Sequence, residues 1–248
     1  MRRLVLLVAA PLLMAQRAPV LVPDVSERSV EIAASFTGAE LLLFGAILYP
    51  GGRQPGREPD IVVTLRGPTE SVRVREKARV AGIWVNAHSA RFRSVPVYYA
   101  VASSRPVRDI VDERTASIYE LGVDNLQLSP IGGPAEQAGF AQGLIELRRR
   151  SGLFVEEPAA VEITDGVLYR ARLAIPARVP VGRYSAETLL IDRGRVVAAA
   201  TRDITIRKSG FERAVASAAE RRPLTYGLLA VSLSLALGWL AGLAFRRR

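Results

Sequence analysis

The chain has 248 residues, of which 34 are Lys or Arg and 24 are Asp or Glu, so its formal net charge is +10. It contains no cysteine and one histidine, which excludes disulfides, thiolate metal sites and multi-histidine metal sites. The basic excess does not indicate nucleic-acid binding, because much of it lies at the chain ends and no nucleic-acid fold signature accompanies it.

The chain begins with the pattern of an export signal. Arg2 and Arg3 precede Leu4 to Ala15, an apolar stretch too short to span a membrane. We expect a signal peptide over residues 1–15, cleaved after its last residue or after Ala18. An uncleaved anchor or a buried strand is the alternative. Export would place the domain that follows in the periplasm.

Residues 16–105 carry the patterns of β-strands. Some runs alternate apolar and polar residues, and one is continuously apolar, as in the core of a sandwich. The runs are Val30–Phe36, Leu41–Leu48, Ile61–Leu65, Val72–Val74, Ile83–Val85 and Val95–Val101. Short strands separated by turn signals predict an immunoglobulin-like β-sandwich domain.

The period changes over residues 106–152, where two helices are predicted. Asp112 to Leu121 reads as a short helix, and Pro134 to Arg150 as a longer one that ends at the cap residue Gly152. Its apolar stripe consists of Phe140, Leu144 and Leu147. This helical segment is expected to cover one end of a sheet or to join two β modules.

A second β region is predicted over residues 153–208. Two hairpin turns stand out, at Asp165-Gly166 and at residues 192–194. Between them, Gly182 and Tyr184 resemble the tyrosine corner of Greek-key sandwiches, in which the hydroxyl bonds to nearby backbone. An ordinary tyrosine at the start of a strand is the alternative.

The end of the chain predicts a membrane anchor. After an expected juxtamembrane helix over 209–223, residues 224–245 form an uncharged apolar run, followed by three arginines at 246–248. A helix of this length covers roughly 33 Å, enough to cross a bilayer. We expect a single-pass inner-membrane protein with most of the chain in the periplasm and a short cytoplasmic tail.

Small residues recur every four positions along this predicted span. Ala230, Ser234, Gly238 and Gly242 form a ridge on which another helix can approach closely. They predict a helix–helix interface with an integral-membrane partner or with a second copy of the chain. Ordinary membrane-helix composition is the alternative.

Catalytic and cofactor motifs are missing from the sequence. There is no Walker loop, dinucleotide fingerprint or nucleophile elbow, and His88 stands alone in an expected strand end or loop. The carboxylates are scattered, and no spacing selects an acid–base pair. We therefore expect a protein that is not an enzyme and that has no cofactor or metal.

Two aromatic residues, Trp84 and Tyr98, fall in neighbouring predicted strands. They are candidates for a partner-binding patch, since exposed aromatic side chains are favoured at interfaces. Packing in the core is the alternative.

Several stretches together resemble a family of transmembrane proteins from alphaproteobacteria. They are Gly82–Asn86, Val97–Pro106, Pro180–Tyr184, Lys208–Glu212 and Tyr226-Gly227. The resemblance covers nearly the whole chain after the signal, and it implies an exported β-rich domain with a C-terminal span. Members are thought to occur beside sulfite-exporter-type permeases, which implies an accessory role and no particular reaction.

Three functions remain open at this point. The first is a membrane-anchored periplasmic binding or assembly protein, an accessory subunit of a membrane complex such as a sulfite-exporter-type permease. The second is a cell-envelope hydrolase that uses the scattered carboxylates. The third is a module that binds an anionic envelope ligand.

Overall fold

The computed structural model of the chain describes residues 19–26, 29–33, 38–52, 56–131, 138–209, 215 and 218–245. The predicted signal peptide at 1–15 and the tail at 246–248 lie outside these residues.

Strands dominate the described residues. They are β1 Val20–Val25, β2 Ser29–Ala33, β3 Ala39–Leu48, β4 Asp60–Arg66, β5 Thr69–Val80, β6 Ile83–Pro96, β7 Tyr99–Ser103, β8 Pro130–Ile131, β9 Phe154–Pro158, β10 Val161–Thr164, β11 Leu168–Ile175, β12 Gly182–Asp192 and β13 Arg195–Ser209. The helices are α1 Val107–Ile110, α2 Glu113–Ile118, α3 Ala138–Arg150 and α4 Pro223–Phe245, with a short 3₁₀ helix at Val123–Asn125.

The strands form three sheets. One has the order β1-β3-β11-β10, the second β2-β13-β12-β4-β7-β9 and the third β5-β6-β8. The first two pack face to face over a core that includes Leu41, Leu173, Tyr98 and Ile204. The prediction of a mainly β fold with a C-terminal apolar helix is confirmed. The immunoglobulin-like pattern stays a prediction, and the six-stranded sheet contains two parallel pairs, β2–β13 and β7–β9.

The two β regions predicted at 16–105 and 153–208 do not form separate sandwiches. In the four-stranded sheet β3 pairs with β11, and in the six-stranded sheet β4 pairs with β12 and β7 with β9. Each large sheet therefore takes strands from both regions. Local patterns identify strands but do not specify their partners, so a division along the chain could not show this interleaving.

A two-residue turn closes the β12–β13 hairpin, and residues 165–167 close the β10–β11 hairpin. Asp165 and Gly166 both have positive φ, 53° and 63°, as do Arg193 and Gly194, 49° and 77°. Positive φ at both central residues is the geometry of type I′ turns, whose twist matches that of the flanking strands. The turn chemistry therefore specifies the connections β10–β11 and β12–β13.

The helical segment covers the outer face of the six-stranded sheet. A second core forms there, in which Leu144 of α3 packs with Phe154, Val101 and Leu189. Leu147, expected on the same buried stripe, is instead 59% exposed. Residues 134–137, which begin the predicted long helix, lie outside the described part of the chain.

Tyr99 connects this helical segment to the sheet. Its buried hydroxyl donates to the Glu120 carbonyl at 2.5 Å and accepts from the Gly122 amide at 3.3 Å. Its ring meets Phe154 edge to face, with centroids 6.2 Å apart. Burial raises the pKa of Tyr99 well above its usual range, so this hydroxyl remains a neutral structural donor.

Candidate interaction surfaces

Residues 60–103 form one continuous antiparallel ribbon. The pairing of β4 with β7 runs on through Gly67, whose amide donates to the Tyr98 carbonyl, and Val97, whose amide donates to the Pro68 carbonyl, both at 2.9 Å. From there it passes directly into the pairing of β5 with β6. The inner half of the ribbon belongs to the six-stranded sheet, and the outer half, residues 69–96, extends from it. We call this outer half the arm.

The arm leaves the sheet at the end toward which β13 runs. Both β4 and β13 are antiparallel to β12, so they point in the same direction. Arg66, the last residue of β4, pairs with Ser185, which pairs with Asp203 of β13. The arm and the C-terminal end of β13 therefore lie at the same end of the sheet.

The two faces of the arm differ in chemistry. Alternation along a strand, with opposite residues on one face, divides the side chains between them. One face carries Val72, Val74, Glu76, Ala78, Val80, Ile83, Val85, His88, Ala90 and Phe92. The other carries Arg73, Arg75, Lys77, Arg79, Trp84, Asn86, Ser89 and Arg91. The arm is therefore apolar on one face and basic on the other.

Only the inner part of the apolar face is covered. Phe92 and Ala90 are buried in the core under the helical segment. Toward the tip, Val80 is 53% exposed and Ile83 65% exposed. The helical segment covers the apolar face only near the base of the arm, so the outer part of that face is exposed to solvent.

Trp84 and Tyr98 do not form the joint patch that the sequence predicted. Trp84 lies at the tip of the arm and is 70% exposed, whereas Tyr98 is fully buried and donates to the Ala174 carbonyl at 2.8 Å. Trp84 is the second residue of β6, a strand of 14 residues, and Tyr98 lies two residues beyond the end of that strand. That length separates the two side chains by roughly 45 Å of extended chain.

A groove with a volume of about 770 Å³ lies between the helical segment and the edge strand β9. Its apolar lining includes Val101, Val111, Ala116 and Leu121, all buried side chains of the second core. Its lining also contains five carboxylate residues and one arginine: Asp112, Glu113, Asp124, Glu156, Glu157 and Arg108. The groove is therefore an acidic depression with an apolar floor.

Several groove carboxylates already hold the structure together. Asp112 caps α2 by accepting from the Thr115 amide at 2.8 Å. Hydrogen bonds from Thr115 lower the pKa of Asp112, which keeps it ionised at neutral pH. Glu156 accepts from the Val123 amide, and Arg149 lies 3.0 Å from Asp124 and 3.6 Å from Glu156. The negative charge of the groove is thus fixed in position.

Tyr184 has the hydrogen bond expected of a tyrosine corner. It is buried, and its hydroxyl donates to the carbonyl of Pro180, four residues earlier, at 2.7 Å. Gly182 has a different reason to be glycine, because an added Cβ would lie 3.1 Å from Cγ of Pro68. This close approach joins the corner to the base of the arm.

The described residues hold no group of three or more His, Asp or Glu side chains arranged for a metal ion. His88 lies on the arm with a 70% exposed side chain, and its Nδ1 is 3.4 Å from the Glu76 carboxylate. It occupies the middle of β6, not the loop or strand end expected from the sequence.

Comparison with known families decides the relationship of the chain. Residues 20–247 match the model of a family described as "Putative transmembrane protein (Alph_Pro_TM)". The chain belongs to this family. The sequence resemblance to the alphaproteobacterial transmembrane family is thereby confirmed. No curated protein matches the chain.

Two solved structures match the chain with low identity and low TM-scores. The sporulation control protein Spo0M from Bacillus subtilis is 10% identical, with a TM-score of 0.33 over 83% of this chain and 56% of that one. The bacterial hydrophobin BslA is 11% identical, with a TM-score of 0.21 over 78% of this chain and 98% of that one. The chain thus spans just over half of the length of Spo0M.

Helix α4 supplies the membrane segment of this transmembrane family member. Residues 223–242 are long and apolar enough to cross a bilayer, and none of them is buried against the rest of the protein. The predicted juxtamembrane helix at 209–223 lies largely outside the described residues. The Tyr226 amide bonds to the Arg222 carbonyl at 3.0 Å, and the Arg222 amide bonds likewise to Ala218, so helical turns lead directly into the span.

The predicted ridge of the family member's span is open. An added Cβ at Gly238 or Gly242 would meet no atom within 4 Å. The Ser234 hydroxyl donates to the Ala230 carbonyl at 2.9 Å, so its polar atom is satisfied within its own helix. The interface with another helix stays a prediction.

Sequence reasoning missed both the arm and the groove. Asp112 and Glu156 are 44 positions apart, and only the pairing of β7 with β9 brings their segments together. The sequence did contain a pattern that predicts the arm. Beyond the end of a core strand, Val72 and Val74 alternate with Arg73 and Arg75, as expected for a strand with one apolar and one basic face. The turn at Ala81-Gly82, with φ of 49° and 88°, completes that pattern.

Proposed function

We propose that this protein is a membrane-anchored binding and assembly subunit whose β domain holds a basic segment of a membrane partner. The observation that carries the proposal is the acidic groove beside β9. The lining holds five carboxylate residues and one arginine, and Arg149 pairs with two of those carboxylates, so a net negative charge remains that favours a cationic ligand. The apolar floor accommodates the aliphatic stems of lysine or arginine.

The anchoring of the domain supports a partner in the same membrane. Because α4 restricts the domain to the bilayer surface, a second membrane protein meets the groove at high effective concentration. We propose that the domain faces the periplasm and that the protein is an accessory subunit of an inner-membrane complex, such as a sulfite-exporter-type permease. The open ridge on α4 would supply a second contact inside the bilayer.

Binding, and not catalysis, is part of this proposal. Asp112 caps a helix, Asp124 is paired with Arg149, and Glu156 receives a backbone amide. A carboxylate whose oxygens are occupied by structural bonds is poorly placed to transfer a proton. These assignments favour an electrostatic surface at Asp112, Asp124 and Glu156; Glu157, whose pKa is raised by burial, is a groove carboxylate that they do not include.

Co-purification tests the proposal directly. The tagged full chain would be co-expressed with a sulfite-exporter-type permease from the same organism and recovered in mild detergent. We expect the permease to be retained by the native chain and lost in Asp112→Arg, Glu113→Arg. A matched control is Asp24→Arg, Glu162→Arg, which places the same charges at exposed positions of the four-stranded sheet. Equal recovery with all variants would refute the groove as the binding site.

A further inference from the structure

We infer that the arm is a second membrane contact, whose tip enters the interface of an anionic bilayer. The contact is independent of the groove. It rests on the open apolar tip, the basic face beside it and the end of the sheet from which the arm emerges.

The tip presents apolar side chains to solvent. Val80, Ile83 and Trp84 are each more than half exposed and flank the turn at Ala81-Gly82. Exposure of three large apolar side chains at the end of a projecting hairpin is costly in water and favours an apolar surface as partner. Tryptophan is the side chain most enriched at the bilayer interface, because its ring is apolar and its N–H is polar.

The basic face gives the arm a preference for anionic headgroups. From residue 72 to residue 93 there are six basic residues and one acidic residue. Arg73 lies directly opposite Arg91 on neighbouring strands, an arrangement that destabilises a hairpin by repulsion. A requirement of the fold does not explain such a pair, whereas binding to a negatively charged surface does.

The position of the arm brings it within reach of the bilayer that holds α4. The arm and β13 leave the six-stranded sheet at the same end and in the same direction. From Val72 to Val80 the arm extends about 30 Å. The connection from Ser209 to Pro223 spans at most about 50 Å when fully extended. The length of this connection is an upper limit on the height of the domain, so it permits heights of about 30 Å or less that the arm can bridge.

Fluorescence of Trp84 tests this contact in the full chain. Trp84 and Trp239 are the two tryptophans, so Trp239→Phe leaves Trp84 as the reporter. The protein is reconstituted into vesicles of phosphatidylethanolamine and phosphatidylglycerol, with or without brominated acyl chains. We expect a blue-shifted emission, at least about twofold quenching by bromine and protection from aqueous iodide. Raising the salt concentration should weaken all three effects.

Matched variants separate the charge contribution from general effects on the protein. Arg75→Gln, Arg79→Gln should reduce the quenching of Trp84, because it removes positive charge beside the tip. Arg193→Gln, Arg195→Gln should leave it unchanged, because that turn lies at the opposite end of the sheet. Val80→Asp, Ile83→Asp should abolish the quenching while an unchanged circular dichroism spectrum shows that the domain is folded.

Three results would overturn the inference. The first is Trp84 that is open to iodide and unquenched by bromine in every vesicle. The second is quenching of Trp84 that does not depend on charge: it would be as strong in phosphatidylcholine vesicles as in the anionic vesicles, and as strong in Arg75→Gln, Arg79→Gln as in the native chain. The third is protection of Trp84 in native membranes but not in pure lipid, which would assign the arm to a protein partner.

Discussion

Tyr98 and Tyr184 face each other in the core between the two large sheets, with ring centroids 6.3 Å apart and ring planes tilted by 57°. Both are buried, and each hydroxyl donates to a backbone carbonyl, Tyr98 to Ala174 and Tyr184 to Pro180. Tyr98 follows the arm directly, and Tyr184 begins the hairpin that leads to the membrane anchor. This pair packs the base of the arm against β12, which is paired with β13, the strand that precedes the membrane anchor.

Removing the hydroxyl of Tyr184 should destabilise the domain. Tyr184→Phe leaves the Pro180 carbonyl without its donor while the ring still packs on Tyr98, so we expect a loss of about 1 kcal/mol or more. Thermal unfolding of the full chain in detergent measures it. Tyr119→Phe, at a side chain that is 39% exposed, is the control that should change little. An unchanged melting temperature in Tyr184→Phe would show that this hydrogen bond contributes nothing.

Asp60 should make stability depend on acid pH. Burial would raise its pKa, but hydrogen bonds from Arg105 and Ser104 outweigh burial and lower it. Arg105 donates from two nitrogens to the two carboxylate oxygens, each at 2.7 Å. The carboxylate therefore stabilises the fold above its unfolded pKa of about 3.9, and this contribution is lost as the pH falls through the lower folded pKa.

The variant Asp60→Asn tests that expectation. It should cost about 1–2 kcal/mol at pH 7, with allowance for the partial exposure of Arg105, and its difference from the native chain should vanish in strong acid. Asp109→Asn is the matched control, because its contact with Arg108 is 3.9 Å long and exposed. Denaturant unfolding across pH gives both comparisons. A constant difference between pH 7 and pH 2 would contradict the assignment.

Glu157 should have the opposite dependence. Burial, assisted by repulsion from Glu40, raises its pKa. The folded state then holds the proton more tightly than the unfolded state, so stability declines as the pH rises from the unfolded to the folded pKa. Glu157→Gln should be more stable than the native chain at pH 7, by at most about 1 kcal/mol, and equal to it below pH ~4. A variant that is less stable at pH 7 would contradict this prediction.

Gly238 should control association through the span. Gly238→Ile places a branched side chain on the ridge and should reduce homotypic or heterotypic helix association, read as signal in a membrane two-hybrid assay. Ala236→Ile adds the same bulk about 200° away around the helix and is the matched control. Loss of signal in both variants, or in neither, would show that the ridge is not the surface through which the helices associate.

The sequence by itself determined the strands, the turns and the anchor, because each rests on local chemistry. Apolar alternation marks β3 and β4, Asp165-Gly166 specifies a type I′ turn, and an uncharged apolar run requires a bilayer or a partner helix. The bond from Tyr184 to Pro180 is also local, since it spans four residues. The sequence signal was sufficient wherever the interacting groups are neighbours along the chain.

Only the tertiary structure decided which strands pair and which side chains share a surface. Tyr98 and Trp84 are both aromatic residues of predicted strands, yet Tyr98 is a core residue and Trp84 an exposed residue at the tip, because almost the whole length of β6 lies between them. The groove needs β7 beside β9 and a helical segment held by Tyr99. These arrangements depend on long-range pairing, whose free energy comes from burying both faces of the six-stranded sheet at once, and no local pattern along the chain contains that information.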